Sequence, residues 1–312
     1  NTVMQFGFNE KFALYYTIPF LSKTGKTGLK VGASFTRSKD VDYGIQDNNL
    51  AFYQGKDYLD REFSAEARVT RRENIYVEQF IEGTFHSNWV GDKIIALNDD
   101  YYKGNRNIQR YFKLRYRYER DYRDLVNYAT NGYLLRLELM KWGLGLYDHV
   151  DQTMAKLKYQ FFQPLGGKFY WASGLSAKYS LPGKQPFSIE KGLGYEQNFV
   201  RGYEYYVVNG QDYVMNRNGL RYQVFDTELN LKLIPLEKFN TIPLALYGKV
   251  FGDHGYVVDR YDKQNNKLAN RYLTGWGAGL DIVTYYDVVF RIEYAFNNQG
   301  EQDLFLHFMK AF

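Results

Sequence analysis

The feature that most constrains this chain is strict alternation: apolar and polar side chains exchange places residue by residue over runs of about ten, many times in succession. Side chains of an extended strand point to opposite faces with period two, so these runs predict β-strands with one greasy and one charged face. Phe112, Leu114, Tyr116 and Tyr118 fall opposite Lys113, Arg115, Arg117 and Glu119. Ala155, Leu157, Tyr159 and Phe161 oppose Lys156, Lys158 and Gln160, and Val288, Phe290, Ile292, Tyr294 and Phe296 oppose Val289, Arg291, Glu293, Ala295 and Asn297. A soluble sandwich also alternates, but its strands run nearer five or six residues between uniformly short turns. Strands of about nine to eleven residues are what a closed barrel needs to cross a bilayer while its polar side lines a lumen.

Composition agrees. Aromatic residues make up 19% of the chain, with Tyr 31 and Phe 23, which suits aromatic girdles at two membrane interfaces. No run reaches the roughly 18 apolar residues of a membrane helix. Cys 0 removes disulfide scaffolds, thiolate metal sites and cysteine catalysis. The net charge of +5 arises from nearly balanced totals and is a weak argument for nucleic acid.

Strands are predicted at about 1–8, 11–22, 28–37, 61–71, 75–86, 109–123, 132–144, 153–164, 169–181, 219–234, 242–251, 271–284, 287–297 and 303–312. The connections alternate in length, as when one rim of a barrel faces the periplasm and the other the exterior. Short turns are expected near 25–28, 71–74, 164–168, 235–241 and 285–287, and long loops near 38–59, 86–107, 182–218 and 252–270. The whole span 1–312 reads as one barrel domain without a linker. Because the first residue is Asn1 and no basic-then-apolar segment precedes it, the chain is expected to be processed or truncated.

Two short strings add specificity. Val200-Arg201-Gly202-Tyr203 stands in the longest loop, and Phe251-Gly252-Asp253-His254-Gly255 follows one strand later. In this order and at these places, they resemble the paired motifs of the BamA/TamA superfamily of outer-membrane assembly factors. There the first string tips a loop folded back into the lumen and the second lies on a late barrel strand. Tyr15-Tyr16-Thr17-Ile18-Pro19-Phe20 resembles the family's fourth strand, and Gly279 to Asp287 looks like Bacteroidota versions.

The resemblance implies an all-β, transmembrane antiparallel β-barrel of sixteen strands, of which about fourteen are present here. The first two strands and the preceding POTRA repeats would be absent. It implies a factor that folds client β-barrels into the outer membrane of a Gram-negative bacterium through a lateral seam, without enzymatic chemistry or a cofactor. Expected partners are outer-membrane lipids, nascent β-barrel clients, and accessory lipoproteins or periplasmic partners, with no nucleic acid. Arg201 is expected to form a structural latch, because a guanidinium away from bulk water requires a carboxylate. Asp253 is the first candidate partner and Glu228 the second. Gly202 and Gly255 would allow close backbone approach. Leu304, Leu306, Phe308 and Phe312 resemble the terminal recognition strand of outer-membrane proteins, with Lys310 a departure from its apolar pattern.

Other chemistries find little support. His86, His149, His254 and His307 are scattered, and none pairs with another at metal-ligand spacing on one element, so no metal is expected. Nothing nominates a Ser–His pair for a lipase, and Gly192-Leu193-Gly194 does not lie between a strand and a helix as a phosphate cradle would. The basic residues and aromatics of Arg110 to Arg123 fall on opposite faces, which suits a lumen wall better than a stacking platform for bases. The competing functions are a two-partner secretion transporter and a passive diffusion porin.

Overall fold

The computed structural model describes residues 1–147, 149–230, 241–261, 265–284 and 288–308. The chain begins with β1 (Thr2–Gln5), β2 (Asn9–Ile18) and β3 (Thr27–Ser38). A short hairpin follows, β4 (Asp40–Gln46) and β5 (Asn49–Gln54), and then β6 (Asp60–Arg72) and β7 (Val77–Val90). After helix α1 (Asp92–Leu97) come β8 (Ile108–Asp121), β9 (Gly132–Trp142), β10 (Gln152–Gly166) and β11 (Phe169–Leu181). The last five strands are β12 (Asp212–Asn230), β13 (Thr241–Val258), β14 (Tyr272–Thr284), β15 (Val288–Asn297) and β16 (Gln302–Phe308).

Fourteen of these strands form one antiparallel sheet in which each pairs with its neighbours in chain order, the β4–β5 hairpin standing apart. The sheet is a barrel-type meander, and β1 and β16 are its two edges among the described residues. A meander of hairpins satisfies the backbone hydrogen bonds locally, which is what a wall facing hydrocarbon requires.

The alternation sorts side chains as expected. Leu114, Leu137, Leu139, Val250 and Leu280 are exposed on the outside, whereas Glu82, Gln160, Arg217, Lys249, Asp281 and Glu293 are buried within. Inward charges pair across adjacent strands: Lys30 with Glu66 and Arg117 with Glu138 at 2.5 Å each, Arg136 with Glu119 at 2.5 Å, and Glu82 with both Arg68 and Arg115. The partners lie on neighbouring strands, where facing residues are about 5 Å apart. The interior is thus a ladder of opposite charges.

The strands run further than the alternation alone suggested. β7 reaches Val90, β12 starts at Asp212, and β13 continues to Val258, so positions 212–218 and 252–258 of the predicted loops are ladder. Above the apolar band a strand's polar backbone is best satisfied by continuing to pair, so sheet outlasts greasy alternation. A bulge between Gln223 and Phe225 turns Val224 and Phe225 both outward, which restores Phe225 and Leu229 to the outer face after one extra residue. The positions 231–234, the turn at 285–287, and Lys310 and Phe312 lie outside the described residues, as does the turn at 235–241 apart from Thr241.

The hairpin and α1 were not foreseen. Val41 of the hairpin packs with Val90, Ile94, Ile95, Tyr101, Tyr102 and Phe187 in one apolar cluster, forming a lid at the long-loop rim. Its tip reaches the loop between β11 and β12: the Val207 amide donates to the Asn48 carbonyl, and Asn48 Nδ2 donates to the Val207 carbonyl.

Leu137, near the middle of β9, pairs with Leu157 and faces outward. Leu137→Arg is expected to cost roughly 2–4 kcal/mol if the side chain meets hydrocarbon near the midplane. Unfolding titrations in lipid bilayers measure this, and an unchanged free energy would remove the lipid-facing assignment.

Candidate functional site: an arginine latch in the lumen

The 182–211 connection between β11 and β12 folds back inside the sheet. Its turn at Val200 to Tyr203 is closed by the Tyr203 amide donating to the Val200 carbonyl at 3.0 Å, with Gly202 at φ +88° in the position where such a turn needs a left-handed residue. A Cβ at Gly202 would also stand 2.8 Å from the Phe296 carbonyl of β15. The turn projects the Arg201 side chain into the wall, where it is almost completely buried.

Asp253 on β13 receives it in bidentate fashion, from Nε at 2.7 Å and Nη2 at 2.6 Å, and also accepts from the Arg201 backbone amide at 3.2 Å. Nη1 donates to Glu293 of β15 at 3.3 Å, and Nη2 donates to the Asn218 carbonyl of β12 at 3.0 Å. The guanidinium lies over the Phe251 ring, 4.0 Å from its centroid. Flat stacking on an aromatic face and forked pairing with a carboxylate are properties of arginine that lysine lacks.

The carboxylates are shared further. Lys249 approaches Asp281 at 2.6 Å and Glu293 at 2.9 Å, and Arg291 approaches Asp281 at 3.1 Å. Arg217 stands 3.5 Å from Asp253. A buried network of alternating charge results, in which no single pair bears the desolvation alone.

Around this centre Val200 packs with Leu193, Val208, Met215, Val257, Leu268 and Leu273. The Tyr203 hydroxyl meets Asn298, Asn297 Nδ2 donates to the Gly202 carbonyl at 2.8 Å, and Tyr206 donates to Glu301 at 2.7 Å. The loop is thereby fixed to the β15–β16 hairpin as well as to β13.

The expected pair, Arg201 and Asp253, is brought together. Phe251 and Gly255 lie on the same strand, and a Cβ at Gly255 would meet the Val200 side chain at 2.6 Å. Glu228 is not a partner. It is exposed and lies ten positions along β12 from Asn218, roughly 33 Å at the rise of an extended strand. Glu293 takes its place, on the neighbour but one of β13, a closeness that pairing order rather than sequence distance decides. Gly275 was also missed. A Cβ there would overlap the Arg201 carbonyl, so the loop can seat only against a bare backbone. The available signal was glycine at alternate positions 275, 277 and 279 on the polar face of one strand. Leu304, Leu306 and Phe308 face outward from β16, exposed.

A rolled antiparallel meander with an inward-folded loop held on its late strands defines the fold as that of the BamA and CdiB barrels. BamA from Haemophilus ducreyi lacking POTRA domains 1–3 superposes with a TM-score of 0.67 at 13% identity, over 96% of this chain and 61% of that one. CdiB from Escherichia coli gives 0.57 at 13% identity over 96% and 52%, and CdiB from Acinetobacter baumannii 0.52 at 13% over 96% and 49%. This chain thus spans about half to three-fifths of the length of those structures. The sequence matches no protein-family model and no curated protein.

Arg201→Ala leaves Asp253 and Glu293 buried with less positive charge beside them and is expected to cost about 3–5 kcal/mol. Denaturant unfolding of the purified chain in detergent reads the loss; Arg201→Lys should recover part of it. Gly275→Ala should unseat the loop without altering a charge, seen as faster proteolysis within 182–211. A loop equally protected in the wild type and Gly275→Ala would contradict the seating.

Proposed function

We propose that this chain is the barrel of an outer-membrane protein assembly factor, which folds client β-barrels into the membrane of a Gram-negative bacterium. The observation that carries the reading is the buried Arg201–Asp253–Glu293 network inside a barrel of BamA type. A lumen occupied by a pinned loop is a poor conduit, so the working surface is the wall. In this reading the seam lies on the β16 side of the wall, where the N–H and C=O groups of a strand edge can take an added strand. Client strands join there by β-augmentation and pass sideways into lipid, and no nucleotide, cofactor or covalent chemistry is needed. The latch keeps the β13–β16 wall in register while the edge is used. Partners are outer-membrane lipids, unfolded β-barrel clients and accessory lipoproteins or periplasmic proteins.

A second reading, a two-partner secretion transporter, draws on the likeness to the CdiB structures. In that reading the loop withdraws and a single passenger crosses the lumen. A passive porin is disfavoured by the loop pinned inside the lumen.

Reconstitution discriminates. Proteoliposomes of the full protein should speed the folding of a urea-unfolded outer-membrane β-barrel, followed as heat-modifiable bands, and Arg201→Ala should slow this severalfold. Planar-bilayer recordings should give small, intermittent conductance for the wild type. A large, permanently open channel with no effect on client folding would refute the assembly reading.

A further inference from the structure

The second oxygen of Glu293 is not accounted for by the latch. Lys249, Arg201 and Arg291 all approach Oε1, at 2.9, 3.3 and 3.9 Å, whereas Oε2 is buried and has no hydrogen-bond partner among the described residues. Oε2 lies 3.6 Å from Nε2 of His307 on β16. That nitrogen lies 2.7 Å from Oε2 of Glu204, in the same returning loop as Arg201. One ligand atom from each residue falls within 4.8 Å of the others.

The contacts are close and would be ion pairs with a protonated imidazole, but neither has the geometry of a hydrogen bond. His307 Nε2 is, like Glu293 Oε2, buried without a hydrogen-bond partner among the described residues, and so is the other oxygen of Glu204, Oε1. With Nε2 of His307 unprotonated, lone pairs from three segments converge on one point. Buried polar atoms are almost always satisfied, and a cluster of acceptors is satisfied by a cation.

The donor set selects the class of cation. Imidazole nitrogen with two carboxylate oxygens suits first-row divalent ions such as Zn²⁺, whose catalytic-type sites use three protein ligands and leave a position for water. Bonds of about 2.0–2.2 Å place neighbouring ligands roughly 3 to 3.5 Å apart, against 2.7 and 3.6 Å for the two His307 contacts and a span within 4.8 Å for the whole set. A calcium ion would ask for about six or more oxygens. The cations around Glu293 do not occupy the site, because they hold the other oxygen and so fix which lone pairs are presented. Phe199 and Phe305 lie nearly parallel to the imidazole, at 6.1 and 6.5 Å between ring centres.

We propose that Glu204, Glu293 and His307 form a binding site for a divalent first-row metal ion of the zinc class, joining the returning loop to the last two strands. The site rests on the latch reading for its consequence: Arg201 and the ion share Glu293, so the ion reinforces the seated loop and ties β16 to it. The ordinary reading of scattered histidines misses the site, since its ligands come from a loop and two different strands.

The test is a titration of the full, tag-free chain in detergent after chelator treatment, with Zn²⁺ alone by calorimetry and Co²⁺ alone by visible absorption. One saturable equivalent is expected, with a Co²⁺ spectrum of low coordination number. His307→Ala and Glu204→Gln should each weaken Zn²⁺ binding by about tenfold or more. His149→Ala, remote from the site, should not. Zn²⁺ should also raise the melting temperature of the wild type and not that of His307→Ala. Absence of saturable binding by the folded wild type overturns the site, and so does binding that both ligand substitutions leave unchanged. These readouts need no client, so an assembly assay in which Arg201→Ala behaves as wild type would defeat the latch reading while leaving the metal result to stand or fall separately.

Discussion

A guanidinium removed from water needs to be met on every side, and the later half of this barrel is arranged around that requirement. Arg201 uses four hydrogen bonds from its side chain, two of them to one carboxylate. Asp253 supplies the fork, Glu293 and the Asn218 carbonyl take the remaining contacts, and Phe251 supplies a flat face beneath. The residues that meet it come from β12, β13 and β15, so one loop side chain cross-links a large part of the wall. The cost of leaving such a charge unpaired is what makes the loop's position definite, and the same cost explains why Lys249, Arg217 and Arg291 are present to balance the carboxylates.

The rest of the interior obeys a milder form of the same rule. The ion pairs between β3 and β6, β6 and β7, and β8 and β9 are partly exposed to the lumen, so each contributes modestly. Their collective effect is on register: slipping any strand by one residue would place charges on the outer, greasy face. The wall is thus specified twice, by what must avoid hydrocarbon and by what must find a counter-charge. The lid of β4, β5 and α1 closes the long-loop rim with an apolar cluster of its own and holds the loop through Asn48.

This organisation favours a function performed by the wall. In the proposed assembly role, a loop pinned inside the lumen and fixed to the last hairpin leaves the wall as the surface that meets a client strand. Coupling between loop and edge would then run through β15 and β16, the two strands touched by Gly202, Tyr203, Glu204 and Arg201.

Local rules made the wall legible. The period-two pattern disclosed the long strands and their inner and outer faces, because a strand's side-chain direction depends only on its own backbone. Val200 to Tyr203 and Phe251 to Gly255 marked the latch and its Asp253 partner through their resemblance to the paired motifs of the BamA/TamA superfamily, since residue type alone does not distinguish a latch from a solvated loop arginine. What remained hidden depends on contacts between segments far apart in the chain. Glu293 rather than Glu228 became the second carboxylate because β15 stands two strands from β13, while Glu228 lies far down β12. Gly275 mattered only once a loop carbonyl came to rest against it, and Glu204, Glu293 and His307 converge only when the loop, β15 and β16 are assembled. Alternation is a property of one strand, but a buried charge chooses its partners from whatever the folded sheet brings within about 3 Å.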